Sequence, residues 1–179
     1  LSHSSAASDV YKRQVPMVEP EVLMDGNHSV DRCYEVSSAA LKSLFSSMTE
    51  CGVNIKGTIL KPNMVTSGAS CDSQASIQEV AEMTLRCLQE NVPAELPGIT
   101  FLSGGQSDIN STAHLNAMNK IGGFPWKLSF SYGRALQQAA LKAWLGKAEN
   151  MPDAQAALSH RALMNKLAAQ GAWSSDLEG

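Results

Sequence analysis

The chain has 179 residues, 44% of them hydrophobic and 17% charged, with a formal net charge of −3. That is enough for one domain with a buried core, and it lacks the basic excess of a nucleic-acid binder. It also falls short of the roughly 250 residues of a complete (β/α)8 barrel, and no apolar run approaches the roughly 18 residues that span a bilayer.

Residues 1–14, L-S-H-S-S-A-A-S-D-V-Y-K-R-Q, are rich in serine and alanine and have no amphipathic period. They are read as a leader outside the fold, either transit-type or foreign to the protein, and they lack the basic-then-apolar order of a secretory signal. From Val15 onward, short apolar runs alternate with longer segments of helical period, the signature of βα units and a parallel sheet. A strand over Val15–Val18 precedes a helix over Val30–Thr49, in which Tyr34, Ala40, Leu41 and Leu44 mark the apolar face. A strand over Gly57–Leu60 precedes a helix over Ser76–Glu90 with Ile77, Val80, Ala81, Leu85 and Leu88 inward. A strand over Ile99–Leu102 leads to a helix over Asp108–Asn119. After Gly122, Gly123 and Pro125, a strand over Lys127–Ser131 leads to a helix over Ala135–Lys147 and a last one over Ala154–Ala169. The expected division is a barrel-like α/β body over 15–150 and a C-terminal helix and tail over 151–179. A doubly wound sheet would carry a G-x-G-x-x-G loop near its first strand, and this chain has none.

Cys33, Cys51, Cys71 and Cys87 stand 18, 20 and 16 residues apart with no C-x-x-C pair. That spacing argues for reduced, half-buried thiols and against a metal or a disulfide framework. The expected setting is intracellular, without a membrane or nucleic-acid partner. His28, His114 and His160 have no partner at metal or nucleophile spacing and read as bystanders. Trp126, Trp144 and Trp173 read as packing residues, since no basic stretch interleaves with them.

In α/β folds the chemistry gathers at the C-terminal ends of the strands. There the sequence places Glu19-Pro20-Glu21, Lys61-Pro62-Asn63, Ser103-Gly104-Gly105-Gln106-Ser107 and Ser131-Tyr132-Gly133-Arg134. Glu19 and Glu21 share one face of an extended backbone, either as an acid/base pair or as loop carboxylates that cap and solvate. At the mouth of a low-dielectric barrel Lys61 would become a nucleophilic amine; otherwise its stem packs and its head reaches water or a carboxylate. The two serine-glycine loops, each ahead of a helix N-terminus, suit an anion such as phosphate, with Arg134 as a bidentate donor, or are simple glycine turns.

Four segments in order, V-P-M-V-E-P-E-V-L, G-T-I-L-K-P-N-M-V, T-F-L-S-G-G-Q-S and F-S-Y-G-R-A-L-Q, resemble class I fructose-bisphosphate aldolase, the metal-independent, Schiff-base type. The resemblance runs from about Val15 to about Gly171. It implies a TIM barrel of which this chain holds the last four βα units. It implies a glycolytic or gluconeogenic lyase acting on a sugar phosphate, fructose 1,6-bisphosphate, with no metal or other cofactor. In this reading Lys61 forms the covalent imine, Glu19 is the general acid/base, and Glu21 supports the lysine's charge state. Ser103, Gly104 and Gly105, with Ser131, Gly133 and Arg134, fall on the phosphate loops. A homotetramer in the cytoplasm, or in a plastid, is expected of the full-length family.

The family's first four units supply an aspartate and two further lysines that this sequence lacks. Its C-terminal tail, often ending in tyrosine, has no counterpart after Leu177-Glu178-Gly179. The expectation is therefore a fragment of low activity alone. A non-catalytic binding module is the alternative, and other Schiff-base barrels, such as transaldolase and deoxyribose-phosphate aldolase, are more distant because their flanking motifs differ.

Overall fold

The computed structural model describes residues 14–179. Apart from Gln14, the expected leader over 1–14 lies outside the described residues. Four strands, β1 (Met17–Val18), β2 (Ile59–Leu60), β3 (Gly98–Phe101) and β4 (Lys127–Phe130), form one sheet in the order 1-2-3-4. All neighbouring pairs are parallel. The intervening helices are α1 (Val30–Glu50), α2 (Ile77–Asn91) and α3 (Asp108–Ile121), and β4 is followed by α4 (Arg134–Trp144) and α5 (Met151–Ala168). This is the arrangement of four consecutive βα units of a β/α barrel, as the sequence led one to expect.

β1 and β2 each start two residues later than expected and end where expected, just before an X-Pro pair. Pro20 and Pro62 have no N–H to continue the ladder, and each holds the residue before it extended. The chains stay in step beyond the strands all the same: Lys61 N donates to Val18 O at 2.8 Å, Leu102 N to Pro62 O at 3.1 Å, and Ser131 N to Phe101 O at 2.9 Å. At the start of β2, Ile55–Gly57 forms a 3-10 turn where the sequence suggested strand from Gly57.

Val18, Leu60, Ile99 and Leu128 are register partners. Leu60, Ile99, Leu128 and Phe101 point into the helix layer and are buried. Period-two alternation then puts the next residues of the row, Glu19, Lys61, Thr100 and Ser129, on the opposite, more open face.

Serines start the first three helices. Ser29 Oγ accepts from Arg32 N, Ser107 Oγ accepts from Asn110 N, and Ser76 forms a reciprocal capping box with Glu79. The buried stripe of α1 is Val30, Cys33, Ser37, Leu41, Phe45 and Met48, with Tyr34 only half-buried beside it. On α2, Ile77 stays 37% exposed because it sits in the first turn, outside the packed stripe from Val80 to Leu88. α4 stops at Trp144, earlier than expected, where Leu145 (φ 53°) and Gly146 (φ 74°) turn left-handed. α5 begins three residues early, with Pro152 in its first turn, where the missing N–H costs nothing. It packs against both α3 and α4.

The four cysteines carry no disulfide: Cys33 and Cys87 are buried, Cys71 is half-buried and Cys51 is exposed. Trp126 and Trp173 are packed inside, and their indole N–H groups donate to Pro93 O and Glu178 Oε1. Trp144 departs from expectation. It is 43% exposed and lines an apolar cleft of ≈ 400 Å³ between α4 and α5 with Leu141, Met151 and Leu158.

Candidate active site

The extended Lys61-Pro62 step carries the lysine one residue past β2, onto the open face of the sheet. Its Nζ lies 3.1 Å from Glu19 Oε2, with the lysine side chain 20% and the glutamate 52% exposed. Glu21 is also exposed, on the same alternating face, and the ion pair of Lys61 is with Glu19 rather than with it. The arrangement sets one amine and one carboxylate in contact at the C-terminal end of adjacent parallel strands.

The loop after β1 and the loop after β2 are laced together by main-chain bonds. Gly68 N donates to His28 O at 2.8 Å, Ala69 N to Met24 O at 2.7 Å, and Ser70 N to Gly26 O at 2.8 Å. Nearer the lysine, Asn63 Oδ1 accepts from Val22 N at 2.9 Å, while its amide donates to Ser37 Oγ at 3.1 Å and Met64 O at 3.0 Å. On the outer side Val65 N donates to the buried Thr84 Oγ1 of α2 at 2.9 Å.

After β3 the chain turns through Gly104 (φ 55°) and Gly105 (φ 93°), closed by Gln106 N donating to Ser103 O at 2.9 Å. Two successive positive φ values are what make both positions glycine. Ser103 is buried, Gly104 half-buried and Gly105 exposed. The first donors of α3 are served within the protein, Ile109 N by Asp108 Oδ1 and Asn110 N by Ser107 Oγ. Any ligand here therefore meets the glycine turn rather than the helix end. The turn is braced from behind by His114, whose Nδ1 lies 2.6 Å from Gln106 Oε1. Burial pushes the His114 imidazole down to about 4, so the neutral ring donates Nδ1–H to the Gln106 oxygen.

After β4, Ser131 is half-buried and Tyr132 turns inward, donating its hydroxyl to Ser111 O at 2.9 Å. Burial raises the Tyr132 phenol far above its ordinary value, and it acts as a fixed strut. Gly133 then caps α4 with no side-chain hydrogen bond, unlike the serine caps of α1 to α3, and Arg134 is the first helical residue. No acid occupies that first turn. An arginine at the positive end of a helix dipole, without a cap, makes an electropositive spot that an anion would stabilise.

Among the described residues no group of three His, Cys, Asp or Glu side chains comes together as a metal site. No helix among them is long and apolar enough to cross a membrane. The sequence singled out Lys61, Glu19, Glu21 and the two serine-glycine loops; the seam between the two loops, the Thr84 contact and the bracing roles of Asn63 and of the Gln106–His114 pair were not foreseen. Asn63 and Gln106 stand inside the strand-end segments, but their partners are distant in sequence and gave no pattern.

A family model described as fructose-bisphosphate aldolase class-I matches residues 6–179. A curated relative from Xanthomonas axonopodis pv. citri, named "Probable fructose-bisphosphate aldolase class 1", is 59% identical over 160 residues, covering 89% of this chain and 48% of the relative. "Fructose-bisphosphate aldolase 1, chloroplastic" of Chlamydomonas reinhardtii is 52% identical over 165 residues, covering 92% of this chain and 44% of the relative. Among solved structures, fructose-bisphosphate aldolase from Plasmodium falciparum, a ternary co-crystal with TRAP and a small molecule inhibitor, superposes with a TM-score of 0.89 at 46% identity. That match covers 91% of this chain and 47% of the other. The chain thus spans about half the length of the relatives it matches.

Proposed function

This chain belongs to the class I fructose-bisphosphate aldolase family, and on that premise we propose that it carries the imine-forming part of a site that reversibly cleaves fructose 1,6-bisphosphate to dihydroxyacetone phosphate and glyceraldehyde 3-phosphate. The observation that carries the reading is the Lys61 amine 3.1 Å from the Glu19 carboxylate at the C-terminal edge of the parallel sheet. The Gly104–Gly105 turn and the uncapped, arginine-bearing start of α4 follow the next two strands.

The chemistry follows from these groups. The Lys61 amine adds to the ketose carbonyl, and Glu19 delivers the proton with which the carbinolamine hydroxyl leaves as water. The resulting cationic imine accepts the electron pair when the bond between the third and fourth carbons breaks. The proton of the fourth-carbon hydroxyl passes to a base, a role assigned to Glu19, and the aldehyde departs. Protonation of the enamine carbon and hydrolysis of the imine return the free amine. Glu21, on the same face, adds negative charge that favours the cationic intermediates.

Ser103, Gly104 and Gly105, with Ser131, Gly133 and Arg134, are proposed to hold a substrate phosphate. Its charge would offset the helix dipole and the guanidinium together. The cycle needs no metal. The isolated chain is expected to turn over slowly, because the sheet face bearing Lys61 is open: Met17, on that face, is 40% exposed. A non-catalytic binding module has no need of an amine and a carboxylate in contact at this edge.

The test is borohydride reduction in the presence of dihydroxyacetone phosphate, followed by peptide mass spectrometry. A reduced adduct on Lys61 is the expected result. Labelling spread over surface lysines such as Lys42 and Lys147, with none on Lys61, would overturn the proposal.

A further inference from the structure

We propose that Asn63 is a positioning residue for the reaction, a clamp that holds Glu19 against Lys61 by closing the Val18–Val22 segment at its far end; the catalytic part of this inference rests on the functional reading above. The segment Val18-Glu19-Pro20-Glu21-Val22 bridges two anchor points on the same short stretch of the β2 edge. At its start, Val18 O accepts from Lys61 N at 2.8 Å. At its end, Val22 N donates to Asn63 Oδ1 at 2.9 Å. Between the anchors, Pro20 fixes its own φ and biases Glu19 toward the extended conformation, so the segment has few ways to reposition the carboxylate.

Asn63 is itself held from three sides. Its amide donates to Ser37 Oγ on α1 at 3.1 Å and to its neighbour's carbonyl, Met64 O, at 3.0 Å, and it contacts Cys33 Sγ at 4.0 Å. Both Ser37 and Cys33 are buried on α1. One side chain therefore ties the β1 loop, the β2 edge and α1 together, two residues from the lysine. A catalytic carboxylate must be held within a few tenths of an ångström to work in proton transfer, and the group that fixes its loop is part of that geometry although it never touches substrate.

The experiment compares the full chain with Asn63→Ala and with Ser37→Ala, which removes a hydrogen bond to Asn63 but leaves the Val22 bond in place. Two quantities are read: hydrogen exchange at the Val22 amide, and the rate of borohydride-trapped adduct on Lys61 with dihydroxyacetone phosphate as a function of pH and ligand concentration. Asn63→Ala is expected to speed Val22 exchange about tenfold relative to neighbouring amides, the scale of one lost hydrogen bond. It is expected to slow trapping at saturating ligand by about tenfold or more and to alter its pH profile, with half-saturation little changed because the phosphate loops lie elsewhere. Ser37→Ala is expected to stay within about twofold of the wild type in both readouts.

Unchanged Val22 exchange in Asn63→Ala overturns the clamp. So does an identical trapping rate and pH profile, or an equal loss in Ser37→Ala. Absence of any Lys61 adduct in the wild type overturns the functional reading instead, and the exchange rate at Val22 still decides whether the clamp exists.

Discussion

Gly68 lies so close to Gly26 that a Cβ on Gly68 would meet the Gly26 carbonyl oxygen at 2.4 Å and its carbonyl carbon at 2.8 Å. The contact is backbone against backbone, so no side chain can swing aside to relieve it. It sits in the seam that ties the Glu19 loop to the Lys61 loop. Gly68→Ala is therefore expected to part the two loops and lower stability by about 1–3 kcal/mol, the usual cost of overpacking. Urea unfolding measures the loss. A variant within a few tenths of a kcal/mol of the wild type would mean that the seam yields freely.

Lys61 and Glu19 can be separated by two conservative changes. Lys61→Arg keeps a cation opposite Glu19 Oε2 but has no amine able to form an imine, so the fold is expected to persist while the trapped adduct disappears. Glu19→Gln keeps the shape but cannot serve as the proposed proton carrier, and is expected to slow adduct formation by roughly 10²–10⁴-fold. Circular dichroism with adduct mass spectrometry checks both. Retained adduct formation in Lys61→Arg would sink the assignment of the nucleophile.

The strand ends that carry Lys61, Glu19 and the two glycine loops were legible because their signals are local. An X-Pro pair stops a ladder and extends the residue before it, and consecutive glycines announce left-handed turns. The length of β1 and β2 was less legible, since Val15 and Gly57 are compatible with strand and only pairing across the sheet decides. The role of Asn63 was not legible at all: an asparagine after a proline reads as turn chemistry, and its partners Val22 and Ser37 lie 41 and 26 residues away. Trp144 misleads for the opposite reason, because a large aromatic on an amphipathic helix signals packing whether or not the facing surface is present. Arg161 on α5 gave no signal either, because its partners Thr112 on α3 and Glu178 in the C-terminal turn lie 49 and 17 residues away.

Arg134 tests the phosphate assignment apart from the chemistry. It is exposed at the first position of α4 and makes no demand on the core. Arg134→Ala is expected to leave the unfolding midpoint nearly unchanged while raising the half-saturating concentration of dihydroxyacetone phosphate by roughly 10–100-fold, the scale of a lost charge-assisted bidentate contact. Arg134→Lys is expected to recover only part of that, since an ammonium lacks the planar fork. Titration of adduct yield against ligand concentration reads the effect. Equal half-saturation in the wild type and the alanine variant would remove Arg134 from the site.

Arg161 and Glu178 form a buried ion pair between α5 and the C-terminal turn, with side chains 6% and 12% exposed. Arg161 also donates to Thr112 Oγ1 at 3.2 Å, and Trp173 Nε1 donates to Glu178 Oε1 at 2.8 Å. Glu178→Ala leaves the buried Arg161 guanidinium facing only the more distant Asp108 carboxylate, 3.8 Å from its Nε, and is expected to cost about 3 kcal/mol. The double variant Arg161→Met, Glu178→Gln is expected to recover part of the loss, because no buried charge remains and the Asp108 carboxylate, 34% exposed, is left to water. Urea midpoints of the two variants decide. A loss below about 1 kcal/mol in the single variant would place the pair among weak surface contacts.

His114 gives the fold a defined acid sensitivity. Its imidazole is pushed down by burial from 6.5 to about 4, so the folded state favours the neutral ring. Between those values the unfolded chain binds the proton more readily than the folded one, and stability falls as the pH is lowered through that window. The stabilising contribution is complete above the unfolded value and stops declining below the folded one. From pH 7 to pH 5 the wild type is expected to lose about 2 kcal/mol through this residue. His114→Gln, which keeps a donor toward Gln106 and removes the titration, is expected to show a shallower decline over the same range. Parallel urea denaturation at pH 7, 6 and 5 measures the difference in slope, and equal slopes for the two proteins would show that His114 is protonated as easily in the fold as outside it.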